Sequence, residues 1–148
     1  MRIGIPRALI YYYYFPFWLN FFSELGIETV VSPKTSKSIL DLGVKESVAE
    51  ICVPIKIFNG HVLKLLEQAV DFVLVPRMVS IKKGEFFCPK FSGLPDLVRH
   101  SLPGADKKIL YPPIETYSDD ISKAKGLFTL SEKLGIEHST LKKAAKKA

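Results

Sequence analysis

Asp71-Phe72-Val73-Leu74-Val75-Pro76 is the stretch on which the fold turns. Four consecutive apolar residues between an acid and a proline are typical of a parallel strand covered on both faces, not of a half-solvated strand with alternating polarity. The segments around it repeat the theme. Ile3-Gly4-Ile5 reads as a short buried strand ending at Pro6, Ile27 to Val31 as a second, and Lys108 to Tyr111 as another halted by Pro112-Pro113. Phe86-Phe87-Cys88 reads as a further short extended piece.

Helical patterns separate these strands. Phe17, Phe21 and Leu25 recur every four residues, predicting a helix over Pro16 to Leu25, with Pro16 in its first turn and Gly26 as its stop. Ser36 is placed to cap a short helix through Leu42, stopped by Gly43, with another helical turn over Lys45 to Glu50. Ile55 to Gln68 is amphipathic, Gly93 to Leu102 reads as helix, and Ser118 or Asp119 is placed to cap a helix reaching Leu134 and Gly135. Ser139 is placed to cap a last helix. Strands alternating with helices predict a three-layer α/β domain, with a mostly parallel sheet of four or five strands flanked by helices. Residues 1–138 form this domain in our reading, followed by a lysine-rich C-terminal helix or tail over 139–148.

The 148 residues are 47% hydrophobic and 24% charged, which excludes disorder and a disulfide framework as global descriptions. The net charge of +6 owes four units to Lys142, Lys143, Lys146 and Lys147; without them it falls to +2. The body is nearly balanced, which argues against a nucleic-acid partner. Gly4, Pro6, Arg7, Pro16 and Asn20 interrupt the apolar N-terminal region, so neither a signal peptide nor a membrane span is expected. A cytoplasmic protein with reduced thiols is the resulting expectation.

No GxxxxGK[ST], GxGxxG or GxSxG motif is present, so no phosphate-loop, dinucleotide or serine-hydrolase chemistry is indicated. Asp119 and Asp120 are best explained as a helix cap and first turn. His61 falls within an amphipathic helix, where a part-buried histidine with one backbone partner is the plainer account; His100 and His138 look like surface residues. The four tyrosines Tyr11 to Tyr14 read first as a packed aromatic wall, and otherwise as a binding surface continuing to Trp18.

In α/β sheets, ligands sit beyond the carboxyl ends of the strands. That rule selects loops carrying Arg7, Arg77 and Lys90; with Lys56 they are candidate phosphate-binding cations for a small molecule or CoA, against the plainer account of solvated surface charges. It also draws attention to the two cysteines. Cys52, in Cys52-Val53-Pro54-Ile55-Lys56, precedes a predicted helix, and Cys88 lies in Cys88-Pro89-Lys90. The ordinary account is two buried structural thiols. The chemical account is ionisable thiols near a cation, suited to holding a metal.

The segments Met1-Arg2-Ile3-Gly4-Ile5-Pro6-Arg7-Ala8-Leu9, Tyr13-Tyr14-Phe15-Pro16-Phe17-Trp18, Phe21 to Gly26, Cys52 to Lys56, Gly60-His61-Val62 and Cys88 to Asp96 together resemble an uncharacterised bacterial domain family. This family is associated with CoA-substrate-specific enzyme activases, related to the activators of 2-hydroxyacyl-CoA dehydratases. It is also distantly similar to the catalytic subunits of those dehydratases and of benzoyl-CoA reductases. The resemblance is strongest over about residues 1 to 100. It implies α/β architecture and an iron–sulfur-linked redox or accessory role on acyl-CoA substrates. An ATP-dependent activase or a dehydratase-like subunit would be the partner. In the catalytic subunits three cysteines hold a [4Fe–4S] cluster; the resemblance makes Cys52 and Cys88 two of three ligands. This chain has no third cysteine, so a further ligand would come from elsewhere. Two alternatives stand beside this reading: a non-catalytic interaction module without a cluster, and a small-molecule or CoA-phosphate-binding domain.

Overall fold

The computed structural model describes residues 1–148. Strand β1 (Arg2–Ile5) leads into helix α1 (Tyr11–Glu24), which returns to β2 (Glu28–Val31). Helices α2 (Lys37–Lys45) and α3 (Val53–Leu66) precede β3 (Phe72–Leu74). After β4 (Arg77–Ser80) come α4 (Pro89–Ser92), α5 (Leu94–Ser101), β5 (Ile109–Leu110) and β6 (Pro113–Glu115). Two 3-10 turns (Ile121–Lys123 and Lys125–Thr129) and helices α6 (Leu130–Leu134) and α7 (His138–Lys147) complete the chain.

The main sheet has four strands in the order β2-β1-β3-β5, and all three pairings are parallel. This is the predicted three-layer α/β architecture. Side-chain alternation divides the core cleanly. Ile3, Ile5, Leu74 and Leu110 pack with Trp18, Phe21 and Phe22 of α1, and with Leu130, Leu134 and Leu141 of the C-terminal helices. Val73, Val75 and Ile109 point the other way, toward Phe58, Val62 and Leu65 of α3 and Leu94 and Val98 of α5. Gly4 shares that second face: a methyl group there would lie 3.2 Å from the Leu65 side chain, so the missing side chain lets α3 approach β1.

A still closer approach joins α2 to α3. A Cβ on Gly43 would lie 1.8 Å from the Lys56 carbonyl oxygen, and one on Gly60 would lie 2.0 Å from that of Ile39. Gly43 is therefore a packing contact inside α2 and not the predicted stop; the helix runs two residues further. Ser36 does cap it, accepting from Ile39 N–H at 3.4 Å.

The structure corrects other expectations as well. Helix α1 begins at Tyr11, a full turn before Pro16. Its apolar face extends back through Phe15 to Tyr11, whose rings lie 4.6 Å apart, and that packing outweighs the intrahelical bond that Pro16 cannot donate. Pro112-Pro113 does not end the extended chain, because Pro113 starts β6, which pairs in parallel with β4 in a separate two-stranded sheet. Proline is tolerated at such a first position because no ladder donor is required of it. Phe86-Phe87-Cys88 belongs to no sheet, although Phe87 N–H donates to Val79 C=O. The stretch after Asp119 is two 3-10 turns and a single-turn helix; Asp120 caps the first turn through Ser122 N–H at 3.0 Å, while Asp119 adopts φ +55°.

Helix α7 starts at His138, so Ser139 lies inside it. The lysines occupy its outer side, while Leu141, Ala144 and Ala145 are buried in the α1-side core. No helix is long and apolar enough to cross a membrane.

Candidate functional site at the carboxyl edge of the sheet

The order β2-β1-β3-β5 reverses direction between β1 and β3, because the chain first moves from β1 to β2 and then returns past β1 to β3. The crevice beyond the carboxyl ends of β1 and β3 is therefore the expected ligand position. An apolar pocket of about 420 Å³ opens between the segment that follows β1 and the segment that follows β4 of the smaller sheet. Leu9, Ile10, Tyr13 and Tyr14 form one side, from the β1–α1 connection and the start of α1. Ile81, Phe87 and Phe91 form the other, from the segment between β4 and α4 and from α4 itself.

The tyrosine run that contributes Tyr13 and Tyr14 to the pocket is half surface. Tyr11 and Tyr14 are half-buried, but Tyr12 is 67% and Tyr13 83% exposed. The Tyr14 hydroxyl is held above its ordinary range by burial, with Asp119 adding to the effect, so it stays a proton donor.

Leu9 is the notable backbone position. Its φ of +54° lies in the left-handed region, which leucine rarely adopts. The chain on both sides holds it there. Arg7 N–H donates to Ser32 Oγ at 2.8 Å, and Ile10 C=O accepts from Tyr13 and Tyr14 N–H at the start of α1.

Ser32 leads to a polar cluster built around a fully buried histidine. His61 on α3 is 0% exposed. Its Nδ1 lies 2.8 Å from Ser32 Oγ and its Nε2 lies 3.0 Å from Thr35 Oγ1. Ser32 is buried and its hydroxyl proton has no acceptor other than Nδ1, so the Ser32 hydroxyl donates to Nδ1 while accepting from Arg7 N–H, and Nε2–H donates to Thr35. Burial first, and the Arg7 charge second, hold the imidazole below its ordinary pKa, so it is neutral. This replaces the expected part-buried histidine with one backbone partner. His61 instead ties α3 to the loop after β2 and, through Ser32, to the loop after β1.

Both cysteines are free and exposed, so the expectation of buried structural thiols is corrected. Cys52 immediately precedes α3, and Cys88 immediately precedes α4, with a proline in the first turn of each helix. Because α3 runs back to the start of β3, its first turn lies toward the carboxyl edge of the sheet. Cys88 lies in sequence between two walls of the pocket, Phe87 and Phe91.

Three of the four candidate cations have partners of their own. Arg77, in β4 and not in a loop, bonds Ser92 C=O at 3.1 Å and pairs with Asp96 at 2.8 Å. Lys56 donates to Ala49 C=O at 2.9 Å. The Arg7 guanidinium lies 5.8 Å from the centre of the Tyr11 ring. Lys90 is exposed on α4. None of the four lines the apolar pocket. The pocket itself escaped sequence reasoning, because Leu9, Ile81 and Phe91 look like ordinary core residues until the topology brings them to one edge.

These features define a doubly wound α/β domain with an apolar pocket, a locked histidine network at the carboxyl edge of its main sheet, and two exposed thiols. The chain belongs to the family described as the CoA enzyme activase uncharacterised domain, whose model matches residues 2–148. The match bears out the resemblance read from the N-terminal segments and covers the C-terminal helices as well. No curated protein and no solved structure matches the chain.

Proposed function

We propose that this domain is an accessory component of a CoA-enzyme activase system, acting with an ATP-dependent activase or a dehydratase-like subunit on acyl-CoA chemistry, and that Cys52 and Cys88 are its contribution to an iron–sulfur site shared with that partner. The observation that carries the reading is that both thiols are free and exposed, each immediately before a proline-started helix. A thiol that serves only packing is ordinarily buried. Exposed thiols remain available to a metal supplied across an interface.

The donor set of this chain alone does not complete a cluster site. No three His, Cys, Asp or Glu side chains stand together as a metal-holding group. The cluster requires a ligand from another chain or segment, so no step is assigned to it within this domain. When bound, such a cluster supplies one-electron transfer. The domain's own role in this reading is to keep its two thiols accessible.

The test is anaerobic incubation of the domain and its partner subunit with ferrous iron and sulfide, followed by metal analysis, visible absorption and EPR. Wild type is expected to show a cluster chromophore that Cys52→Ala and Cys88→Ala each diminish. Absence of a chromophore in wild type, or its full retention in the double variant, overturns the reading.

A further inference from the structure

Asn59 lies on α3 and is 0% exposed, yet its side-chain oxygen Oδ1 has no hydrogen-bond partner within the protein. Its Nδ2 donates to Ser47 Oγ at 2.8 Å. A buried amide oxygen is costly to leave unpaired, so such atoms are nearly always satisfied, by protein groups or by ordered water. Asn59 lines a cleft of about 60 Å³ with Ser47, Val48 and Ile51 of the α2–α3 connection and with Leu97 and Ser101 of α5. A buried water needs at least about 10–15 Å³ and two to four polar partners. The cleft supplies three. Asn59 Oδ1 accepts; the Ser47 hydroxyl, which accepts from Asn59, still has a proton to donate; and the Ser101 hydroxyl, which donates to Leu97 C=O, still has a lone pair. No charged side chain lines the cleft, which suits a neutral occupant over an ion.

The place of the cleft in the fold gives this water a consequence. The connection from Ser47 to Ile51 runs directly into Cys52. Helix α3 reaches back to it with two side chains three residues apart on one helical face: Asn59 on Ser47, and Lys56 Nζ on Ala49 C=O at 2.9 Å. On the other side of the cleft, α5 follows directly from α4, the helix that starts after Cys88, and the two share Gly93 as their boundary. Arg77 fixes that boundary by bonding Ser92 C=O and pairing with Asp96. The cleft is therefore where the segment before Cys52 meets the helices after Cys88.

We propose that one ordered water in this cleft bridges Asn59 and Ser47 to Ser101, and that this hydrated joint sets the placement of the two thiols relative to each other. Asn59 is then a positioning residue for Cys52. The consequence rests on the thiols acting as a pair, as in the function proposed above. The joint itself involves no iron, so failure of iron binding leaves its test unaffected.

A crystal structure with ordered solvent tests the first half: it should show a water within about 3.2 Å of Asn59 and of Ser47 or Ser101. The native thiols test the second. Cys52 and Cys88 are the only cysteines and both are exposed, so nitroxide spin labels attach to them without any mutation. Pulsed dipolar EPR, with continuous-wave EPR for short separations, then reads the distribution of distances between the labels. Ser47→Ala, at a half-buried position, removes the hydroxyl that joins Asn59 to the water, and Asn59→Leu fills the cleft and expels the water. Each should broaden or shift the distribution relative to wild type. Leu141→Ala weakens the opposite core without touching the cleft and should leave the distribution unchanged, which separates the joint from general loss of stability. If Asn59→Leu does not fold, Ser47→Ala carries the comparison. A cleft without water in the ordered-solvent structure, a distribution unaltered in Ser47→Ala, or one broadened as much by Leu141→Ala each overturns the proposal.

Discussion

Replacing His61 with leucine isolates the network that joins the first two strands to α3. The substitution keeps a side chain of comparable bulk in the core and removes both ring nitrogens. Ser32 is 2% exposed and loses the acceptor for its hydroxyl proton, a cost of about 1–3 kcal/mol. Thr35 is exposed and exchanges its bond for water, costing about 0.5 kcal/mol. The total is about 1.5–3.5 kcal/mol at pH 7.5, measured by urea denaturation as a lower midpoint with an unchanged slope. The pH dependence then separates this network from a packing defect. The folded-state pKa of His61 is lowered, so the unfolded chain binds a proton first as pH falls below about 6.5. The stabilisation is complete above that pH and is lost as pH falls through the folded pKa, at no more than about 1.4 kcal/mol per pH unit. Leucine does not titrate, so the gap between wild type and variant should narrow between pH 7.5 and pH 5. A gap that stays constant, or a cost below 0.5 kcal/mol at pH 7.5, would refute the reasoning.

Gly60→Ala should cost about 2 kcal/mol or more despite a helix-propensity gain of about 1 kcal/mol, because the new methyl would meet the Ile39 carbonyl at 2.0 Å; a raised urea midpoint would show that α2 moves away freely. Leu141→Ala should cost about 3 kcal/mol by the same measurement, since Leu141 is fully buried, whereas exposed Lys142→Ala should change stability by less than about 0.5 kcal/mol. Equal, small effects at the two positions would mean that α7 adds little to the core. Lys147→Ala removes a surface pair with Glu24 at 2.8 Å and should cost no more than about 1 kcal/mol, less in high salt, as read by the same titration with and without added sodium chloride.

The layers of the fold were legible because period and burial agree along the main strands. Val73 and Leu74 show the contrast: both are buried, but in opposite cores, which is why the sequence there shows no polar alternation. The errors fall where tertiary packing overrides a local stop. Gly43 and Pro16 are strong breakers in isolation, but one serves a helix crossing and the other sits on an exposed helical surface whose opposite face is anchored by Trp18 and Phe22. The β4–β6 pair was invisible because a short parallel pairing beginning at Pro113 depends on distant chain segments meeting, which no local pattern records. For the site, the edge position of Cys52 was legible from its place before α3. The partners of His61 were not, since Ser32 and Thr35 lie 29 and 26 residues away.

The histidine network and the pocket are mechanically related through Leu9. A left-handed leucine costs about 1–2 kcal/mol and persists only when its neighbours are fixed. On one side, α1 fixes Ile10. On the other, Arg7 N–H is held by Ser32, whose hydroxyl is oriented by His61. Leu9 therefore stays at the pocket wall because a buried hydrogen-bond chain reaches from α3 to the loop after β1. His61→Leu should speed amide hydrogen exchange at Arg7, whose N–H Ser32 holds, although His61 does not line the pocket, and Leu9→Gly should relax the strain while removing the wall. If the Arg7 amide exchanges in His61→Leu as it does in wild type, His61 is not needed to hold the Ser32 bond beside Leu9, and the two features are neighbours without being coupled.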